Sequence, residues 1–189
     1  MKKIFLTMVA LVLMGTTAMA QRSYFDVNFG YSQDNTYDSD LDFQIKNLSV
    51  GYNMLIAEDL YLGGTLGYSI LNADNSNYEV NLFTLTPRLT YQMQLGSNFY
   101  WTPNLYVTLG YGSKDLDLGV GKYNHYNVRA GLNILSFDYR INNMFAVNLN
   151  VLTPYYNYMK VSYSENDNLS YNYNGLVYLG ASIGLKISL

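Results

Sequence analysis

The chain contains no cysteine. No disulfide therefore holds the fold, and lipid anchoring through an N-terminal cysteine is excluded. Beyond residue 20 no apolar run approaches the roughly 20 residues that a membrane-spanning helix needs. Charged residues make up only 13% of the chain, against about 25% in soluble domains. There is a single histidine, His125, and no glycine-rich phosphate loop. The net charge is −3, and it becomes more negative once Lys2 and Lys3 are removed with a leader. Nucleic-acid binders show a basic stripe and a pI above about 9, so no nucleic-acid partner is expected.

What is abundant is tyrosine, 21 residues, followed by 15 glycines. Mean hydropathy is −0.05, the value expected when apolar and polar residues alternate along membrane-spanning strands. The last stretch shows that alternation without a break. Val177, Leu179, Ala181, Ile183, Leu185, Ile187 and Leu189 are apolar, and Gly180, Ser182, Gly184, Lys186 and Ser188 stand between them. A period of two is a strand and not a helix.

At the other end, Lys2 and Lys3, the apolar run from Ile4 to Met14, and Ala18-Met19-Ala20 have the three parts of a secretory signal peptide. Residues 1–20 are expected to be cleaved, leaving about 170 residues, one domain's worth, as residues 21–189.

The remaining strands follow in order. The first covers about Ser23 to Ser32, with Phe25, Val27, Phe29 and Tyr31 on one face. The second covers about Phe43 to Met54. Phe43 and Ile45 break its parity, which predicts a bulge near Lys46-Asn47 or a strand extending above the membrane. The third runs from about Leu60 to Leu71, and the fourth from Tyr78 to Met93, with a kink or bulge expected at Pro87. The fifth runs from Phe99 to Gly112. The sixth starts near Asn124 and its parity slips around Leu135-Ser136. The seventh covers Met144 to Tyr158, with Phe145, Val147, Leu149, Val151 and Tyr155 facing out. Short turns at Ile56 to Asp59, Gln94 to Asn98 and Arg140 to Asn143 alternate with four polar loops, at Gln33 to Asp42, Asn72 to Asn77, Ser113 to Tyr123 and Ser162 to Asn174. Short turns on one side and long loops on the other are the pattern of outer-membrane barrels. Aromatic residues fall at strand ends: Tyr31, Tyr68 and Tyr111 at the loop side, Tyr52, Tyr91, Trp101 and Phe145 at the turn side. Two such belts suit the two lipid–water interfaces. A soluble β-sandwich or calycin barrel would explain the alternation but not the belts and the leader together.

The run Gly51 to Tyr68, the segment Thr86-Pro87-Arg88-Leu89-Thr90-Tyr91, and Asn104 to Gly112 carry a family likeness. The chain resembles OmpA/OmpX-like small outer-membrane β-barrel proteins of the porin family, in the form common in Bacteroidetes. The resemblance spans nearly all of the mature chain and implies fold and location, not activity. Members often end in Phe, whereas this chain ends in Leu189. No peptidoglycan-binding domain follows, so a wall-anchoring role is not implied.

Chemistry is sparse. His125 has Asn124, Tyr126 and Asn127 beside it, without the Ser or Asp partner of a catalytic pair, and it is expected to be exposed at the mouth of the sixth strand. Asp38, Asp40 and Asp42 begin like a calcium loop, but Phe43 and Ser49 stand where Gly and Glu are required. They are expected to be solvated loop residues, with looser sharing of bridging cations with lipopolysaccharide as the other reading. No catalytic residue, metal site or cofactor is expected.

The inward charges are expected to be Asp26, Arg88, Arg129 and Lys186. Asp26 and Lys186 fall at the same end of adjoining strands and are expected to pair. Arg88 and Arg129 have no inward acid in this register and then require water, Asn or Thr partners, or an acid that this reading misplaces, because a buried unpaired charge is costly.

The expected fold is all-β: an eight-stranded antiparallel up-and-down transmembrane β-barrel in the outer membrane of a Gram-negative bacterium. It is expected to be non-enzymatic, with a structural, membrane-integrity or surface-interaction role through its external loops. The alternative is a narrow porin-like channel for small solutes. Expected partners are outer-membrane lipid, lipopolysaccharide and the barrel-assembly machinery, with the surface ligand unspecified.

Overall fold

Period-two alternation lays the chain out as antiparallel strands whose apolar side chains face outward. The computed structural model describes residues 23–34, 43–73, 79–115, 122–163, 166–177 and 179–189. The expected signal peptide and Asp38, Asp40 and Asp42 lie outside the described residues. Thirteen strands form one sheet: β1 (Ser23–Asp34), β2 (Phe43–Ala57), β3 (Leu60–Ala73), β4 (Glu79–Tyr91), β5 (Met93–Gln94), β6 (Phe99–Trp101), β7 (Asn104–Asp115), β8 (Lys122–Asn133), β9 (Leu135–Arg140), β10 (Phe145–Val151), β11 (Tyr155–Tyr163), β12 (Asn166–Val177) and β13 (Leu179–Ser188). Among the described residues there is no helix.

The order is β12-β11-β8-β7-β4-β3-β2-β1-β13-β10-β9-β6-β5. The sheet curls around a central interior, because β1 pairs with both β2 and β13, and β13 pairs in turn with β10. Four short interruptions separate β4 from β5, β6 from β7, β8 from β9 and β10 from β11.

Two interruptions reverse which side chains face in. At the β8–β9 break, Ile134 and Leu135 are both exposed, so Ser136 and Asp138 turn inward. The Trp101 indole donates to the open Ile134 carbonyl at 2.6 Å. At the β10–β11 break, Val151 and Leu152 both face out, and Leu152 takes φ 54°, the left-handed region that L-residues rarely occupy. Its consequence corrects an expectation: Tyr155 faces the interior, only 4% exposed.

Other segments differ from expectation as well. Pro87 causes no shift of register: pairing with β7 lapses after Leu85–Leu109 and resumes at Arg88–Tyr106 in the same register. Its ring lies on the outer face, where the missing N–H is tolerated. Near Lys46-Asn47 the register is also unbroken, so β2 extends upward with Ile45 pointing in. The fourth polar loop is largely strand, since β12 pairs with β11 from Tyr155–Val177 to Ser162–Ser170. Its Asn, Asp and Ser content disguises a Ser-Tyr-Asn-Tyr-Asn alternation.

Tight turns close the lower end, taken here as the end of the 58–59, 95–98 and 141–144 connections. Asp59 takes φ 59° in a two-residue hairpin, a conformation that Asp tolerates better than most residues. Asn142 Oδ1 accepts from the backbone N–H groups of Met144 and Phe145, both at 2.8 Å, an Asx-type turn.

Candidate functional site

The interior is the inverse of a soluble core. Outside lie exposed apolar side chains such as Phe29 at 54%, Leu66 at 68% and Phe83 at 70%. Inside, Asp26, Asn53, Ser69 and His125 are fully buried. From bottom to top the interior has four levels.

A vestibule of about 400 Å³ lies at the lower end, bordered by Asp59, Gln92, Gln94 and Asn143 among others. Above it is a neck of inward tyrosines and cations. The Tyr24 and Tyr61 rings are 5.3 Å apart, Lys186 Nζ lies 4.7 Å from the Tyr24 ring, and Arg140 lies over Tyr100 at 4.0 Å. Then comes a cavity of about 170 Å³. Ile45 borders this cavity and belongs to an apolar cluster with Leu71, Val80, Leu82, Met159 and Val161 toward the upper end.

Two buried charge networks brace the middle. In the first, Arg88 from β4 pairs with Asp26 from β1. Asn53 Nδ2 donates to the same carboxylate at 2.6 Å, and Arg88 Nε donates to Asn53 Oδ1 at 2.8 Å. Glycines make the room: a Cβ at Gly63 would collide with the Asn53 amide, and one at Gly184 with that of Asn28.

In the second network, Lys186 Nζ donates to Asp138 Oδ2 at 2.6 Å. Asn148 Nδ2 donates to Asp138 Oδ1 at 2.6 Å, and Asn150 bridges Asn148 and Ser182 with two 2.7 Å bonds. Charge-assisted bonds of this kind are the stronger ones.

Asp26, Arg88, Arg129 and Lys186 all point into the interior. The expected Asp26–Lys186 pair is not formed, although the two residues face each other across β1 and β13. Asp26 is engaged by Arg88 and Lys186 by Asp138. Asp138 is the residue that sequence reasoning missed. It lies beyond the parity slip at Leu135-Ser136, and continuing the alternation past that slip would have turned it inward. Arg129 is 8% exposed, with Nε and one terminal nitrogen lacking a hydrogen-bond partner.

His125 was expected at the surface and is instead fully buried. β8 begins at Lys122, so His125 is already inside the upper end, with Gly112 and Val161 as cross-strand neighbours. Among the described residues no three His, Asp or Glu side chains gather as a metal site.

The aromatic residues singled out at strand ends lie on the outer face in two tiers. Tyr31, Tyr68 and Tyr111 are 39–48% exposed at the upper level, where Tyr68 packs on Phe83 at 5.6 Å and Tyr111 on Tyr126 at 5.3 Å. Tyr52, Tyr91, Trp101 and Phe145 lie lower, with Tyr52 5.0 Å from Phe25. From Phe83 to Tyr91 the strand rises about 27 Å at ~3.4 Å per residue. Tilted by ~40°, that spans about 20 Å, close to the apolar band of an outer-membrane barrel.

No family model and no curated protein matches the chain. Among solved structures it is similar to Neisserial surface protein A, with a TM-score of 0.52 and 13% identity over 88% of this chain and 97% of that one. A looser likeness, TM-score 0.32 and 13% identity over 90% of this chain and 100% of the other, is to the β domain of the Bordetella autotransporter BrkA. The first likeness identifies the fold as an antiparallel β-barrel of that kind.

Proposed function

We propose that this chain is an integral outer-membrane barrel of OmpA/OmpX-like type, whose thirteen segments are eight transmembrane strands. The eight-strand reading is supported by continuity across the breaks: β5 and β6 pair below β4 and β7, β9 and β10 pair below β8 and β11, and β13 continues β12. The observation that carries the membrane reading is the apolar outer face between two aromatic tiers, around a polar interior. Exposed in water, so continuous an apolar surface would drive association. Its surroundings are outer-membrane lipid and lipopolysaccharide, and insertion is the work of the barrel-assembly machinery.

The role is structural or surface-interacting and non-enzymatic, with the lumen plugged. Support for the plug comes from the apolar cluster above and the Tyr24–Lys186 neck below. Support for the absence of catalysis comes from His125, which is sealed from any approaching substrate. A narrow channel is the second reading, favoured by the polar cavity and the vestibule beneath it.

The test is the purified protein in detergent and in planar bilayers. A heat-modifiable gel shift with no discrete conductance steps is expected. Discrete steps would overturn the plugged reading in favour of the channel, and absence of the gel shift would overturn the barrel itself.

A further inference from the structure

The 170 Å³ cavity is bordered by three cations, Arg88, Arg129 and Lys186, and by no carboxylate. Both nearby acids sit behind cations that already engage them, Asp26 behind Arg88 and Asp138 behind Lys186. Of these three, Arg129 is the one that no acid engages among the described residues. Its Nε and one terminal nitrogen have no hydrogen-bond partner, and the Tyr155 ring, 5.7 Å away, covers one side. A ring face offsets part of a cation's desolvation but does not neutralise it, and an uncompensated buried charge costs several kcal/mol. Apart from Gly30, Ile45 and Ala181, the remaining wall is made of hydroxyls and amides, and the amide oxygens of Asn133 and Asn150, buried without a donor, are acceptors for the waters that would accompany a small ion.

We propose that the lumen cavity is a binding site for one small monovalent anion of the halide class, with Arg129 as its counter-charge. One negative charge balances the wall, and a cavity of 170 Å³ holds such an ion with several waters. The cavity and the vestibule below it share Tyr24 and Lys186 in their walls. This assignment rests on the closed-barrel reading. It makes the ion a resident of the lumen that stabilises the folded state, whether or not the barrel conducts.

The test uses the full chain folded in phosphatidylcholine vesicles, with urea unfolding followed by fluorescence of Trp101, the single tryptophan. Sodium chloride is exchanged for sodium gluconate at fixed ionic strength. An ion that binds only the folded state raises the folded-to-unfolded ratio by about tenfold for each tenfold increase in its concentration above Kd. Arg129→Gln should abolish that dependence. Asn157→Asp places a carboxylate on the cross-strand neighbour of Arg129 in β11, so it should be as stable in gluconate as in chloride. If Arg129→Gln fails to fold, the Asn157→Asp result decides alone. Equal stability of the unmodified protein in chloride and gluconate, or a chloride response that survives Asn157→Asp, would overturn the proposal. Loss of the heat-modifiable gel shift in the unmodified protein would instead overturn the barrel reading beneath it.

Discussion

Asp138 tests the interior most sharply. Its side chain is 2% exposed and its carboxylate holds the Lys186 ammonium at 2.6 Å, with Asn148 on its other oxygen. Asp138→Asn keeps the volume but only one of the two acceptors: with its oxygen on Asn148 it turns an N–H₂ toward the ammonium, and with its oxygen on Lys186 it turns that N–H₂ toward the Asn148 amide donor. Lys186, 7% exposed, is then a buried cation without a counter-charge. Removing one partner of a buried pair costs about 3–5 kcal/mol, or roughly 140- to 3,700-fold in the folded-to-unfolded ratio at ~1.4 kcal/mol per tenfold. The assay is urea unfolding in vesicles, read by Trp101 fluorescence and by the gel shift. Replacing both charges, as in Asp138→Asn with Lys186→Met, should recover much of the loss, because the cost lies in the orphaned ion and not in the missing bond. Asp115→Asn is the control: its 3.2 Å pair with Lys122 is 75% and 61% exposed, and exposed pairs contribute about 1 kcal/mol or less. A loss below about 1 kcal/mol for Asp138→Asn, or a double variant as unstable as the two single losses added together, would refute the reasoning.

Leu105, 57% exposed and midway between Trp101 and Tyr111 on the outer face, should lose about 2–4 kcal/mol as Leu105→Arg in vesicles. In a water-soluble protein the same change at an exposed site would be near neutral, and urea unfolding separates the two. Gly63→Ala should cost about 1–3 kcal/mol, since the new methyl meets the Asn53 amide that braces Asp26 and Arg88. Gly96→Ala, with nothing within 4 Å of the added carbon, should stay within about 0.5 kcal/mol.

The outer face was legible because it obeys a local rule. Every second residue from Phe25 to Tyr31, and from Ala181 to Leu185, meets the same apolar surroundings, so parity alone orients it. The rule failed where the chain spends an extra residue. Nothing local marks Leu152 as left-handed, yet its φ of 54° sends Tyr155 inward. The slip near Leu135 was visible as a broken pattern, but its consequence for Asp138 appears only when parity is followed past it. Composition misled in β12, where Asn and Ser suggested a loop and the backbone pairs with β11. His125 was misplaced for a related reason: polar residues near a strand end look like a rim, while the strands rise further and enclose them.

The charge pairs fail prediction for a deeper reason. On an open sheet, direct cross-strand neighbours are the unit of interaction, and that rule selects Asp26 with Lys186. Inside a narrow barrel every strand faces the same axis, and long side chains reach past their neighbours. Asp26 on β1 meets Arg88 on β4, with β2 and β3 between them in the sheet; Lys186 on β13 meets Asp138 on β9, with β10 between. Depth along the axis, together with the space left by Gly51, Gly63 and Gly184, selects the partner. Each acid is thereby taken by a cation that reaches across the lumen. Arg129, placed against Tyr155, is left outside both networks, and it is the charge that the proposed ion would balance.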